Sequence, residues 1–195
     1  MKSLLAALMT LFLSPFVMAG DVEEPQWELI DKLDAVELRL YQPSIQAITE
    51  LSSSASTTAG FRRLAGYIFG GNDRAQSIAM TAPVQETLEK DRPVMAFTLP
   101  AEYALDELPA PNDKRVSIVE VPKRTVAAVR FSGWATDSRV KRMQGTLLET
   151  LQSHGIQPVG IPVLNQYNPP WTAPFLRRNE ISVEIALSSE LALVQ

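Results

Sequence analysis

The chain contains no cysteine, which excludes disulfides, thiolate catalysis and cysteine-ligated metal or haem. It contains one histidine, His154, too few for a histidine-built metal centre. Basic residues are in deficit: 18 Lys and Arg stand against 22 Asp and Glu, a formal net charge of −4. The positive face that nucleic acid demands is therefore missing. No Gly-x-Ser-x-Gly, no glycine-rich phosphate loop after a strand and no zinc-type spacing occurs. The carboxylates Glu86 and Glu89, and Glu102, Asp106 and Glu107, lie in loop-like surroundings and are expected to be solvated. No catalytic residue and no metal ligand is assigned, and a binding protein is expected rather than an enzyme.

What is present begins at the N-terminus. Lys2 precedes an apolar stretch over residues 4–17, and Val17-Met18-Ala19 offers small or aliphatic residues where a signal peptidase cuts. Residues 1–19 are expected to be a secretory signal peptide, too short and too weakly flanked for a stable span. No cysteine follows for lipid attachment. Residues 20–195 are expected to form a single secreted domain, periplasmic in a bacterium, with no membrane anchor after cleavage.

Along that domain, residues 27–30, 36–41 and 45–51 have strand composition, with clean alternation in the second. The small hydroxyl residues 52–58 are suited to cap a helix. Phe61, Leu64, Ala65, Ile68 and Phe69 then make one helical apolar stripe, closed by Gly70-Gly71. Strands are expected over residues 78–84, 94–99, 116–121, 125–131, 161–167 and 181–187. A second helix carries Val140, Met143, Leu147, Leu148 and Leu151, capped by Thr136 or Asp137 and ended by His154-Gly155. His154 there suits the negative end of the helix dipole, and Met80 is expected to be packing material. The two halves repeat faintly. Leu64 and Ile68 sit over Leu147 and Leu151 at an offset of 83, and Met95, Phe97 and Leu99 over Ile181, Val183 and Ile185 at 86. The fold class is α+β: a duplicated β-β-β-helix-β-β unit with pseudo-two-fold symmetry, two main helices packed on a curved, barrel-like antiparallel sheet.

Two blocks carry a family resemblance. The first is Tyr67-Ile68-Phe69-Gly70-Gly71-Asn72 with Ile78-Ala79-Met80-Thr81-Ala82-Pro83-Val84. The second is Tyr167-Asn168-Pro169-Pro170, then Pro174-Phe175 and Arg177-Arg178-Asn179-Glu180. In this order they resemble the SOUL/haem-binding protein family over about residues 25–187. The resemblance implies non-covalent binding of haem or another tetrapyrrole, for carriage or sequestration. It places the ligand in a shallow apolar cleft beside the first helix and the loop before the last strand. A tetrapyrrole needs apolar walls and a basic rim. Thr58, Phe61, Arg62, Ala65 and Phe69 on the first helix, and Trp171, Phe175 and Arg177 on the late loop, are the candidates. Arg62, Arg63, Arg177 or Arg178 is available for propionates; a plainer reading makes Arg177, Arg178 and Glu180 surface ion pairs. The chain departs from the family where Met and basic side chains are implied: Thr58, Ala65, Gly66 and Ala173 stand there, and none ligates iron. Two alternatives stay open. One is a GyrI-like small-molecule or hydrolytic module with Glu180 as a base; the other is an interaction domain that presents Trp171.

Overall fold

A computed structural model of the chain describes residues 22–53, 56–89 and 91–186. The expected signal peptide, residues 1–19, lies outside them. Nine strands and two long helices follow the order β1 (Trp27–Leu33), β2 (Val36–Tyr41), β3 (Ser44–Glu50), α1 (Thr57–Ile68), β4 (Val84–Thr87), β5 (Val94–Thr98), β6 (Val116–Val121), β7 (Arg124–Phe131), α2 (Asp137–Ser153), β8 (Val163–Gln166) and β9 (Asn179–Glu184). All strands join one antiparallel sheet in the order β1-β2-β7-β9-β8-β4-β5-β3-β6.

That order reveals how the repeat is built. Let the first copy be β2-β3-α1-β4-β5 and the second β6-β7-α2-β8-β9. Exchanging the copies reverses the strand order from β2 to β6 and leaves it unchanged. The pseudo-two-fold axis therefore passes between β4 and β8. Each copy also lends its first strand to the other: β2 pairs with β7, and β6 with β3. The repeating unit is thus ββαββ rather than the expected unit with three leading strands. β1 is an addition at the edge, held to β2 alone.

The helices cover one face of the sheet. Leu147 and Leu151 of α2 pack on Val36, Leu38, Ala127, Val129, Ile181 and Val183. Leu64, Tyr67 and Ile68 of α1 pack on Ala47, Met95, Phe97 and Val116. Each buried Leu, Ile, Val, Phe or Met among them contributes roughly 1.5–3 kcal/mol. Close seating of α1 depends on Gly60, where a Cβ would lie 2.2 Å from a Leu51 methyl carbon. Gly70, at φ +98°, ends α1 in the left-handed region as expected. Asn72 completes the stop. Its amide donates to the Tyr67 and Gln76 carbonyls at 3.0 and 2.8 Å, and Tyr67 Oη donates to Pro109 O at 3.0 Å.

Three local expectations are corrected. Residues 78–83 are not a strand, because Pro83 offers no N–H to a ladder; Ile78, Thr81 and Ala82 are instead buried in the connector, and pairing starts at Val84. Ser56, at the N-cap of α1, makes no side-chain capping bond and bonds to Ser52 and Ser53 instead. The buried stripe of α1 is Gly60, Leu64, Tyr67 and Ile68, which leaves Phe61 and Phe69 exposed.

Candidate functional site

Two exposed aromatics on one helix need an explanation, and for Phe61 a cleft supplies it. Phe61 stands edge-on to buried Phe97, ring centroids 5.4 Å apart, and its outer side faces a cavity of about 700 Å³. Thr57, Thr58 and Phe61 of α1 form one wall, and Val84 and Met95 of β4 and β5 contribute to the lining. Across from them stand Trp134, Ala135 and Thr136, before α2, and Gln166, Asn168, Pro170 and Arg177 from the β8–β9 connection. The volume suits a drug-sized or larger planar ligand, and the lining is mostly apolar.

The far wall is braced. Gly133 N–H donates to Pro174 O at 2.9 Å, and Asn179 Nδ2 donates to Gly133 O at 2.9 Å. Asn168 Oδ1 accepts the Arg178 N–H at 2.6 Å. Arg177, only 8% exposed, donates to Thr172 O at 3.0 Å and to Pro170 O. Its guanidinium lies 3.8 Å from the Trp134 ring centroid, a cation–π contact that fixes the indole as a wall. Arg177 therefore acts through the loop it holds.

The other candidates sit around this cleft. Thr58 and Phe61 line it. Arg62 and half-buried Ala65 follow on α1; Arg62 is exposed and has no hydrogen bond or ion pair among the described residues. Phe69 is exposed at the helix end. Trp171, 85% exposed, and Phe175 project from the β8–β9 connection outside the lining set. Arg63 bonds Thr49 Oγ1 at 2.5 Å and Glu50 O at 3.0 Å. Arg178 pairs with Glu24 and stacks on Tyr167, 3.5 Å from its centroid. His154 caps α2 with Nδ1 2.9 Å from Thr150 O and is absent from the lining. Met80 packs, half-buried, against the α1 core cluster.

Glu180 is not a surface ion-pair residue but a buried one. Arg39 Nη1 and Nη2 donate to its two oxygens at 2.7 and 3.1 Å, and Tyr167 Oη donates at 2.8 Å. Burial would lower the Arg39 guanidinium; the Glu180 carboxylate reverses this and holds it above its ordinary value. Both oxygens of Glu180 are thus occupied by donors, and the residue is absent from the cleft lining. Near the cleft lies a different carboxylate, Glu86 on β4, which burial pushes above the usual range although the Thr57 hydroxyl donates to it at 3.2 Å.

Val84 and Asn168 entered the sequence reading only as members of the two family blocks, and Trp134 and Met95 were missed as cleft residues. Only Trp134 left a signal, an indole between a strand and a helix in Ser132-Gly133-Trp134-Ala135.

The family model of the SOUL heme-binding proteins matches residues 22–184. The chain belongs to the SOUL haem-binding protein family. SOUL relatives include Heme-binding protein 2 of Mus musculus, 25% identical over 191 residues, spanning 84% of this chain and 90% of that protein. Heme-binding protein 1 of Xenopus laevis is 26% identical over 181 residues, spanning 83% and 92%. Among solved structures, the EcmrR C-terminal domain superposes with a TM-score of 0.62 at 11% identity, covering 78% of this chain and 98% of that one. A hydrolase from Listeria innocua gives 0.55 at 8% identity, covering 80% and 94%. At such identities the two structures speak to the fold alone. In SOUL terms, the signature run from Tyr67 to Asn72 is an architectural clasp: it stops α1 and anchors the chain that leads to β4.

Proposed function

We propose that this SOUL protein binds haem or a related tetrapyrrole without covalent attachment, for carriage or sequestration rather than catalysis, in the cleft between α1 and the β8–β9 connection. One observation carries the reading: a braced, mostly apolar cleft of about 700 Å³ walled by Phe61, Val84 and Trp134. The macrocycle lies against Thr58, Phe61 and Trp134. Arg62 is the free cation on the α1 flank and pairs with a propionate. Ala65 leaves the flank low, Phe69 extends it, and Trp171 and Phe175 extend the opposite rim. Arg177 positions Trp134.

The lining fits the disc but not strong axial ligation. Among the described residues it contains no His, Cys, Tyr or Lys, and Met95 is fully buried beside Gly60. Bound haem would supply iron; the protein supplies apolar walls, water exclusion and a cation. The sequence of residues 1–19 supports secretion into the periplasm, with residues 20–195 as one domain. No helix among the described residues is long and apolar enough to cross a membrane.

The test is titration of the purified protein with ferric haem and with metal-free protoporphyrin, following the Soret band and tryptophan fluorescence. Saturable binding of both at similar affinity is expected, with quenching that Trp134→Phe reduces. Binding of neither would overturn the tetrapyrrole reading. Mass spectrometry of the periplasmic fraction should find a chain that begins at Gly20; an intact N-terminus there would overturn the secretion reading.

A further inference from the structure

The sheet face turned away from the helices is lined by polar groups. Gln46 Nε2 donates to Gln85 Oε1 at 2.7 Å, Gln85 Nε2 to Asn165 Oδ1 at 2.9 Å, and Asn165 Nδ2 to Ser182 Oγ at 2.8 Å. Gln46 and Asn165 are buried. This amide chain fixes the donors and acceptors of β3, β4, β8 and β9 on one side of a cavity of about 340 Å³. Ile48, Val94, Val126, Ile161 and Val163 give the cavity apolar walls. Arg124, the register partner of Tyr41, also lines it.

Arg124 is the anomaly. Its Nη1 is buried without a hydrogen-bond partner, and among the described residues it forms no ion pair. The ring of Tyr41 lies 5.8 Å from its guanidinium carbon. The neighbouring cation, Arg39, is already neutralised by Glu180 and Glu37. Among the described residues the one carboxylate in the lining, Glu184, is exposed. A buried unpaired donor on a charged group is costly and calls for a partner.

We propose that this face is a second binding site, separate from the tetrapyrrole cleft, for a small organic monocarboxylate whose anionic end is taken by Arg124. A planar guanidinium fork matches a carboxylate bidentately. A single cation with Glu184 nearby balances a monoanion and disfavours a phosphate dianion. The apolar walls take a short aliphatic or aromatic body, and the amide chain selects its polar substituents. Burial holds the Arg124 guanidinium below its ordinary value, with Glu184 and Tyr41 opposing that shift; an anion in the cavity would raise it again.

The experiment is fluorine NMR of the purified protein with para-fluorobenzoate and its uncharged analogue para-fluorobenzyl alcohol. Saturable, millimolar-range binding of the carboxylate is expected, with the alcohol at least about tenfold weaker, the loss anticipated when a charge-assisted contact is removed. Arg124→Gln should abolish the difference, and Arg124→Lys should keep part of it. Val163→Phe should block the cavity while leaving Arg124 in place, and it carries the test with Arg124→Lys if Arg124→Gln fails to fold. Phe61→Ala and saturating protoporphyrin should leave carboxylate binding unchanged. Equal binding of acid and alcohol, indifference to Arg124→Gln, absence of saturation or displacement by protoporphyrin would each overturn the proposal.

Discussion

The pseudo-two-fold axis makes the β8–β9 connection equivalent to the β4–β5 connection, yet the two differ in every respect that matters to binding. β4 and β5 are joined by only six residues, 88–93, four of them charged. β8 and β9 are joined by residues 167–178, which carry Trp171, Phe175 and Leu176 and are braced by Asn168 and Arg177. The helices differ in parallel. At the offset of 83 that superposes their buried leucines, Thr58 and Phe61 of α1 fall on Lys141 and Gln144 of α2. Duplication supplied two similar helix flanks, and lengthening one connection while keeping one flank apolar turned only one of them into a cleft. The candidate site is thus the place where the symmetry is broken.

Restoring the symmetry should have the largest effect. Replacing residues 168–176 by a short polar turn should leave the β8–β9 pairing and the circular dichroism intact but weaken protoporphyrin binding by about a hundredfold or more, since a whole wall and its anchors vanish. Unchanged affinity would place the ligand away from this loop. Trp134→Ala removes the indole on which Arg177 stacks and should cost about 2 kcal/mol, roughly thirtyfold in affinity by Soret titration. Phe61→Ala should cost less, about 1–1.5 kcal/mol, because its contact with Phe97 is shared with the core. Arg62→Ala should cost about 1 kcal/mol, and that loss should shrink with added salt, as expected of an exposed cation. A salt-independent loss would assign Arg62 a packing role.

The reach of sequence reasoning follows the range of the contacts involved. The ends of α1 and α2 and most strands were legible, because glycine stops and apolar periodicity are local. Residues 78–84 misled because burial in a connector leaves the same apolar composition as burial in a strand. Thr58, Phe61 and Arg177 were legible as cleft residues by resemblance. Arg177 was legible as a charge but not as a loop clamp, since that role depends on Trp134, far away in sequence. The Arg39–Glu180 pair spans 141 positions, which no local pattern can reveal. The run Tyr67 to Asn72 was the most informative in sequence, yet it contributes nothing to the cleft lining: it identifies the fold through a turn whose geometry tolerates few substitutions.

The smallest effect concerns Glu86, an acid tied to the cleft through Thr57. Its counterpart in the second copy lies on β8, where Asn165 and Gln166 are uncharged. Burial raises the Glu86 carboxyl, and Thr57, which bonds it, lines the cleft. An acid whose folded-state pKa lies above its unfolded value costs stability once the unfolded chain ionises. The cost is therefore absent below the ordinary carboxylate range and fully present at neutral pH. Glu86→Gln should then raise Tm at neutral pH by no more than about 2–4 °C, the shift that about 1 kcal/mol produces in a domain of this size. The gain should fade on acidification. Covering the cleft with a macrocycle removes more water from the Thr57–Glu86 pair and pushes the carboxyl higher still, so protoporphyrin binding should take up protons and strengthen as pH falls toward the carboxylate range. Calorimetric titration in buffers of different ionisation enthalpy reads that uptake directly. Equal uptake in wild type and Glu86→Gln would remove Glu86 from the cleft's electrostatics and leave the loop asymmetry as its sole determinant.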